Sequence, residues 1–293
     1  MLHLIDASVF VFRAYYSVPG TLADRDGRPV NAVYGFARFL IELLGRAGPT
    51  HVAIAFDESL TGSFRTRIYP AYKANRELPP ADLEHQFALC REFCGLLGLE
   101  AYGDADYEAD DIIGTLAVRA RAAGYSTALV TRDKDLAQLI RPGDEFWDYV
   151  ADTRYGYEDI PARFGVQPER IADYLALTGD AVDNIPGVPG VGKKTAAILL
   201  ARFESLEDLY DHLDEVPTLK LRNAAWVAAQ LREHRDAAFL ARQLTAIACD
   251  MPLVAEITDL ERRRTDLAAL DEFFDRVAFG PLLRGQARRI AAA

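Results

Sequence analysis

Residues 104 to 111, Asp-Ala-Asp-Tyr-Glu-Ala-Asp-Asp, hold five carboxylates in eight positions and run into the apolar Ile112 and Ile113. Acids favour the first turn of a helix, so the spacing predicts a helix that starts here. Capping one helix takes fewer than five acids. Glu108 and Asp111 are three apart and would share a helix face, with Asp110 reaching the same point from the side. Alone, such a run reads more simply as a solvated acidic turn. Its company changes that reading, because Asp6, Asp57, Asp133, Asp135, Asp180 and Asp183 stand at strand ends and loop starts elsewhere. Two carboxylates about 6 Å apart repel by roughly 3 kcal/mol at an effective dielectric near 20. If these acids converge, they need counter-charge, and hard divalent ions with oxygen ligands, Mg²⁺ or Mn²⁺, supply it.

The elements that must bring them together are legible as a pattern. Residues 2 to 6, 51 to 56 and 126 to 131 read as short buried strands, each ending in or followed by an acid. Acids at carboxyl ends of strands lie where ligands bind in α/β folds. Residues 31 to 47, 81 to 97 and 108 to 123 read as helices, closed by glycines at 48, 98 and 124. Strand and helix alternate to about residue 150, which predicts a mostly parallel sheet flanked by helices. The expected domains are an α/β core over residues 1–160 and a helical region over 161–293 packed on it.

Two segments add positive charge. Residues 59–80 carry Arg65, Arg67, Lys73 and Arg76 against one acid, Glu77, with Phe64, Tyr69 and Tyr72 interleaved. Cations beside aromatic rings suit phosphate contact and stacking on single strands. Residues 187–196, Gly-Val-Pro-Gly-Val-Gly-Lys-Lys-Thr-Ala, miss a Walker A loop: Lys194 stands where Ser or Thr must hold Mg²⁺, and no strand precedes the loop. They read instead as a tight hairpin between helices, spanning about 180–202 with its flanks. Glycines let its backbone approach a phosphate, and Lys193 and Lys194 add charge. Such a hairpin would hold a duplex by its backbone without reading sequence.

Composition sets the outer limits. The chain has 293 residues, half of them hydrophobic and 26% charged, enough for a substantial core. No basic, apolar leader opens the sequence and no apolar run is long enough to span a membrane, so the expected place is the cytoplasm. Cys90, Cys94 and Cys249 form no disulfide framework, and the first two fit core packing. A net charge of −11 argues against nucleic acid, but the nine site acids carry most of it and leave −2.

With these residues collected, the chain resembles the 5′-nuclease (flap endonuclease) family, in the bacterial form found at the N-terminus of DNA polymerase I and in stand-alone 5′-3′ exonucleases. The resemblance covers about residues 2–250. It rests on Leu4-Ile5-Asp6 with Arg13, Ala55-Phe56-Asp57, Ser63-Phe64-Arg65, Tyr72-Lys73-Ala74-Asn75-Arg76, Tyr107-Glu108-Ala109-Asp110-Asp111, Thr131-Arg132-Asp133-Lys134-Asp135, Gly179-Asp180 with Asp183-Asn184, and Gly190-Val191-Gly192-Lys193-Lys194-Thr195. It implies a PIN-like 5′-nuclease core, a helical arch over 59–80 and a helix-hairpin-helix. It implies one metal ion among Asp6, Asp57, Glu108, Asp110 and Asp111, and a second among Asp133, Asp135, Asp180 and Asp183. Lys73, Arg76 and Asp111 are the implied catalytic residues. Arg13, Arg65, Tyr72, Lys73, Arg76, Gly190, Gly192, Lys193, Lys194 and Thr195 are the implied DNA contacts, with K⁺ a further ligand of the hairpin. Because the chain ends near residue 293, no polymerase domain is expected in cis.

The activity this implies is metal-dependent hydrolysis of DNA at 5′ ends, nicks or flaps in replication and repair. The implied protein is a monomer cooperating with a polymerase and a ligase, and RNA–DNA hybrids stay open as substrate. The main rival is a junction-binding protein that does not cut. An RNA-cutting nuclease is a second rival, disfavoured by the basic island and the hairpin. A phosphatase or NTPase is third, weakened by Asp6-Ala7-Ser8, which lacks a second Asp two residues on, and by Lys194.

Overall fold

The computed structural model describes residues 1–58, 62–77, 79–253 and 255–291. Six strands form one sheet: β1 (Leu2–Asp6), β2 (His51–Ala55), β3 (Glu100–Tyr102), β4 (Thr127–Val130), β5 (Glu145–Asp148) and β6 (Thr153–Gly156). Their order is β3-β2-β1-β4-β5-β6. The first five run parallel and β6 pairs antiparallel with β5. The chain builds outward from β1 to β3 on one side, then returns to place β4 on the other. The crevice at the carboxyl ends of β1 and β4 is therefore the topological switch point, where open α/β sheets bind ligands.

Helices cover both faces: α1 (Ala7–Ser17), α2 (Asn31–Ala47), α3 (Phe64–Ile68), α4 (Ala81–Leu96), α5 (Ala109–Ala122), α6 (Ile160–Phe164), α7 (Ile171–Thr178), α8 (Lys193–Arg202), α9 (Leu206–Asp211), α10 (Ala224–Glu233), α11 (Arg235–Thr245), α12 (Leu267–Arg276) and α13 (Pro281–Ala291). Strand alternation decides what each face meets. Leu2, Leu4 and Leu129 join Ile112, Leu116 and the helical region's Leu175, Leu177 and Leu199 in one core. Ile5, Val52, Ile54 and Trp147 join Phe10, Phe36, Leu40 and Phe93 in the other. No helix among the described residues is long and apolar enough to cross a membrane.

Three features depart from the sequence reading. First, β5 and β6 form an antiparallel edge hairpin where only an alternating pattern ending near residue 150 was expected. Second, α12 and α13 do not stay with the helical region: Phe273, Phe274, Leu283 and Ile290 return to the core beneath α2 and α4. Third, the expected arch is folded down among the described residues. Residues 62–77 contain only the five-residue α3 and a series of turns, with Arg65 and Tyr72 buried. Residues 59–61 and 78 of that expected arch lie outside the described residues.

Candidate active site

The acids that end or follow strands meet at the switch point. Asp6 closes β1 and caps α1, and its Oδ2 accepts a hydrogen bond from Thr131 Oγ1 at 2.9 Å, just past β4. That hydroxyl accepts in turn from the Asp133 amide at 2.9 Å, so one threonine ties the two strand ends. Asp133 accepts from the Asp135 amide at 2.9 Å and so fixes the start of the next turn. Asp57, after β2, receives the Ala109 amide at 2.9 Å, and the Ser8 hydroxyl holds its own amide at 2.9 Å.

Asp180 and Asp183 arrive on a loop closed on itself. Asp180 and Ile185 exchange both backbone hydrogen bonds, at 2.8 and 2.9 Å. Gly179 (φ +76°) and Gly187 sit backbone to backbone beneath it: a Cβ on Gly187 would stand 2.5 Å from the Gly179 nitrogen. Gly187→Ala should therefore shift the loop that presents both aspartates. The expected outcome is a loss of cleavage rate larger than the change in melting temperature, read by comparing kinetics and thermal unfolding of one preparation.

Residues 71–76 clamp this loop from above. The Lys73 amide donates to Asp183 O at 3.0 Å, Asn184 Nδ2 to Ala71 O at 2.7 Å, and Asn75 Nδ2 to Ala181 O at 3.0 Å. Lys73 (φ +54°) and Asn184 (φ +56°) both take left-handed backbone to close this contact. The clamp brings Lys73 Nζ onto Glu108 and Arg76 onto Asp183. Tyr72 donates between Glu108 and Asp183, at 3.2 and 3.3 Å, and Ser63 Oγ adds a 3.0 Å bond to Glu108. Ser63, Tyr72, Lys73, Arg76 and Glu108 line a cleft of about 720 Å³ with Phe12, Tyr16 and Asp57.

Electrostatics mark the acids as short of counter-charge. Burial raises the Asp6 carboxyl to about 7, aided by Asp57 and Asp133 and opposed by Thr131. Burial likewise lifts Asp135 to about 7, with Asp133 and Asp180 pushing the same way. Asp110 is raised well above its ordinary value by burial, then by Asp133, Asp6 and Asp57. Burial also raises Asp133, against the Asp135 amide. For Glu108 burial acts upward too, but Lys73 and then Arg65 outweigh it and hold the carboxyl below its usual range.

The donor set is oxygen throughout, carboxylates with hydroxyls beside them, and it repels itself. Both properties fit hard divalent cations. The fit is that of a basin rather than a finished cage, since among the described residues no group of three or more acid, histidine or cysteine side chains is set to hold one ion.

Asp111 stands apart, and the expectation that it serves as ligand and catalyst is corrected. It is fully buried, and both its oxygens are taken. Arg65 donates to them twice at 2.7 Å, the Glu108 amide at 3.0 Å and the Ala248 amide at 2.8 Å. Arg65 is equally consumed, with further bonds to the carbonyls of Leu244 and Ala246 at 2.9 Å. It is 3% exposed, so the expected DNA contact is corrected as well. The pair instead ties α3 and α5 to the end of α11.

Arg13 also misses the basin. It is exposed on α1 and lines a second cleft with Tyr34, Arg38 and Tyr149, while its neighbours Phe12 and Tyr16 face the acids. Tyr72 reaches the site but is 5% exposed, so its ring is no free stacking platform. The hairpin lies between α7 and α8, with Gly190, Gly192, Lys193 and Lys194 exposed and Thr195 half-buried. Thr131, Ser63 and Ser8 organise the acids without being expected to; Thr131 stands two before Asp133, Ser8 two after Asp6 and Ser63 two before Arg65, which in a sequence is a weak signal.

Comparison with known proteins follows the same geography. A family model described as the 5′-3′ exonuclease N-terminal resolvase-like domain matches residues 1–165. A second, described as the 5′-3′ exonuclease C-terminal SAM fold, matches residues 166–268. DNA polymerase I of Rhizobium leguminosarum is 38% identical over 290 residues, which cover 97% of this chain and 28% of that protein. The thermostable DNA polymerase I of Thermus thermophilus is 39% identical over 285 residues, 96% of this chain and 32% of that one. The chain thus spans about a third of the length of the curated relatives it matches. Among solved structures, the phage T5 D15 protein co-crystallised with metal ions superposes with a TM-score of 0.68 at 17% identity, over 99% of each chain. The catalytic core of Rad2 in complex with DNA substrate gives 0.64 at 15% identity, over 98% of this chain and 90% of the other.

Proposed function

Since the chain belongs to the 5′-3′ exonuclease family, we propose that its acidic basin hydrolyses DNA phosphodiesters at 5′ ends, nicks and flaps with two divalent ions, Mg²⁺ or Mn²⁺. The observation that carries this reading is the gathering of eight carboxylates at the sheet's switch point, with Lys73 and Arg76 set among them. Asp6, Asp57, Glu108 and Asp110 would hold one ion, and Asp133, Asp135, Asp180 and Asp183 the other. Bound there, such ions supply a nucleophilic water at neutral pH and neutralise charge on the attacking and leaving oxygens.

The chain's own groups do the rest. Lys73 and Arg76 now spend their charge on Glu108 and Asp183. With those carboxylates holding metal, both cations would be free to hold the scissile phosphate and the charge that grows on it. Thr131, Ser8 and the clamp of residues 71–76 keep the acids in place, so little reorganisation is left for the moment of reaction. The terminal base pair must open for its phosphate to reach the basin, at a cost of a few kcal/mol.

Lys193, Lys194 and the backbone at Gly190 and Gly192 would grip the downstream duplex, with K⁺ on the hairpin carbonyls part of the same proposal. Lys193→Ala with Lys194→Ala should lower the slope of log affinity against log salt by about two, as two phosphate contacts disappear. Titrating duplex DNA at several salt concentrations measures it. A monomer acting in the cytoplasm beside a polymerase and a ligase completes the proposal.

The rival, a junction binder that does not cut, is separated by one assay. Incubation of a 5′-flap duplex with the protein and Mg²⁺ should release the flap, and EDTA should stop it. An intact flap in both would leave only binding.

A further inference from the structure

The net charge of −11 is not spread evenly. Residues 184–203 and residues 216–232 contain no acid at all, although the chain averages 44 acids in 293 residues, which would place about six in these 37 positions. The fold brings the two stretches together. Gly190, at the tip of the hairpin, has φ +77°, and a Cβ there would stand 1.9 Å from the ring of Trp226 in the first turn of α10. The six-membered ring of the indole thus lies against the hairpin backbone. It is still 50% exposed, whereas the chain's other tryptophan, Trp147, is fully buried.

The turn that leads into α10 alternates. Leu219 and Leu221 pack on the core, while Lys220 and Arg222 are exposed. Lys193, Lys194, Lys220 and Arg222 form no ion pair among the described residues, and the Trp226 indole N–H has no hydrogen-bond partner among them. Most other arginines of this acidic chain are tied to acids, as Arg202 is to Glu215. A set of unpaired cations flanking a half-exposed aromatic ring, with no acid among them, suits a phosphodiester backbone. Six extended residues span at most about 21 Å. Lys220 and Arg222 therefore lie within about six nucleotide steps of the hairpin, each step rising about 3.4 Å along a strand.

We propose that Lys220, Arg222 and Trp226 form a second half of the duplex grip, holding the DNA backbone next to the phosphates held by the hairpin. This rests on the nuclease reading above and extends its DNA contact onto α10. The two cations take phosphates, and Trp226 offers its apolar face to a deoxyribose and its N–H to a phosphate oxygen. Trp226 is also a positioning residue, because the Gly190 backbone rests on its ring.

The test uses the full chain in EDTA, so that nothing is cut, with a fluorescein-labelled 5′-flap duplex. Lys220→Ala with Arg222→Ala changes exposed side chains only and should fold. It should bind about tenfold more weakly or worse near 0.1 M salt, with the salt slope reduced by about two. In the wild type, DNA should quench the Trp226 emission and shield it from acrylamide, against a constant background from the buried Trp147. Trp226→Phe should keep the fold and lose part of the affinity, which separates contact from support. A merely structural ring would change the melting temperature on substitution yet stay equally open to acrylamide with DNA bound.

Wild-type affinity and slope in the Lys220/Arg222 variant, together with unshielded Trp226, would overturn the proposal. If the Lys193/Lys194 variant weakened binding in the same series, the nuclease reading would survive that result. If the wild type bound no duplex at all, both would fall together.

Discussion

Asp110→Asn should abolish cleavage while making the metal-free protein more stable. Asp110 is half-buried at a point where Asp133, Asp6 and Asp57 all oppose its charge. A neutral amide of nearly the same shape relieves that repulsion. It also removes a ligand from the proposed first ion, and the loss expected is at least on the order of 10²- to 10³-fold in rate. Each kcal/mol recovered should raise the melting temperature by roughly 2–4 °C.

The pH dependence has a definite sign. Asp6 and Asp135 rise from 3.8 to about 7 on folding. A carboxyl whose pKa is higher in the fold adds stability that is fully present below 3.8 and is lost as the pH rises through about 7. Metal-free wild type should therefore melt lower at pH 8 than at pH 6, and Mg²⁺ should restore more at pH 8. Thermal unfolding in EDTA and in Mg²⁺ at both pH values measures this. Equal stability of Asp110→Asn and wild type at pH 8 would mean the acids do not strain the fold.

Arg65→Met should cost stability rather than catalytic chemistry. Arg65 and Asp111 are 3% and 0% exposed and joined by two 2.7 Å bonds. Removing one partner leaves an uncompensated buried charge, a loss of about 3–5 kcal/mol. That corresponds to a fall of about ten degrees in melting temperature. It also orphans the carbonyls of Leu244 and Ala246, so the segment joining α11 to the core should lose hydrogen-exchange protection first. Arg65→Met with Asp111→Leu should recover part of the loss, because no charge is stranded, while the two carbonyls and the amides of Glu108 and Ala248 stay unpaired. Mn²⁺ affinity should change little in Asp111→Asn. Loss of metal binding at an unchanged melting temperature would return Asp111 to the ligands.

The pattern of strands was legible because each buried run ends in an acid at a sheet edge, which is how Asp6, Asp57 and Asp133 announce themselves. Asp180 and Asp183 were legible as acids at a loop start, but their place at a second ion came only from the resemblance; the fold carries them by pressing Gly179 against Gly187. What stayed hidden was direction. Asp110 and Asp111 are adjacent and chemically identical, yet one faces the basin and the other faces Arg65, a choice made by a segment 46 residues away. Arg65 looked like a phosphate contact for the same reason: a lone arginine does not say whether its acid is a neighbour or a ligand. The return of α12 and α13 to the far core was equally unreadable. An amphipathic helix reveals that it packs, not on what.

The central claim is that eight carboxylates at the switch point share divalent ions and that Asp111 does not. Crystals grown with Mn²⁺, measured for anomalous scattering, test it most directly. The account predicts two peaks in the basin, one beside Asp6 and Asp110 and one beside Asp135 and Asp183, with none at Asp111. An empty basin, or a peak on Asp111 with Arg65 displaced, would contradict it.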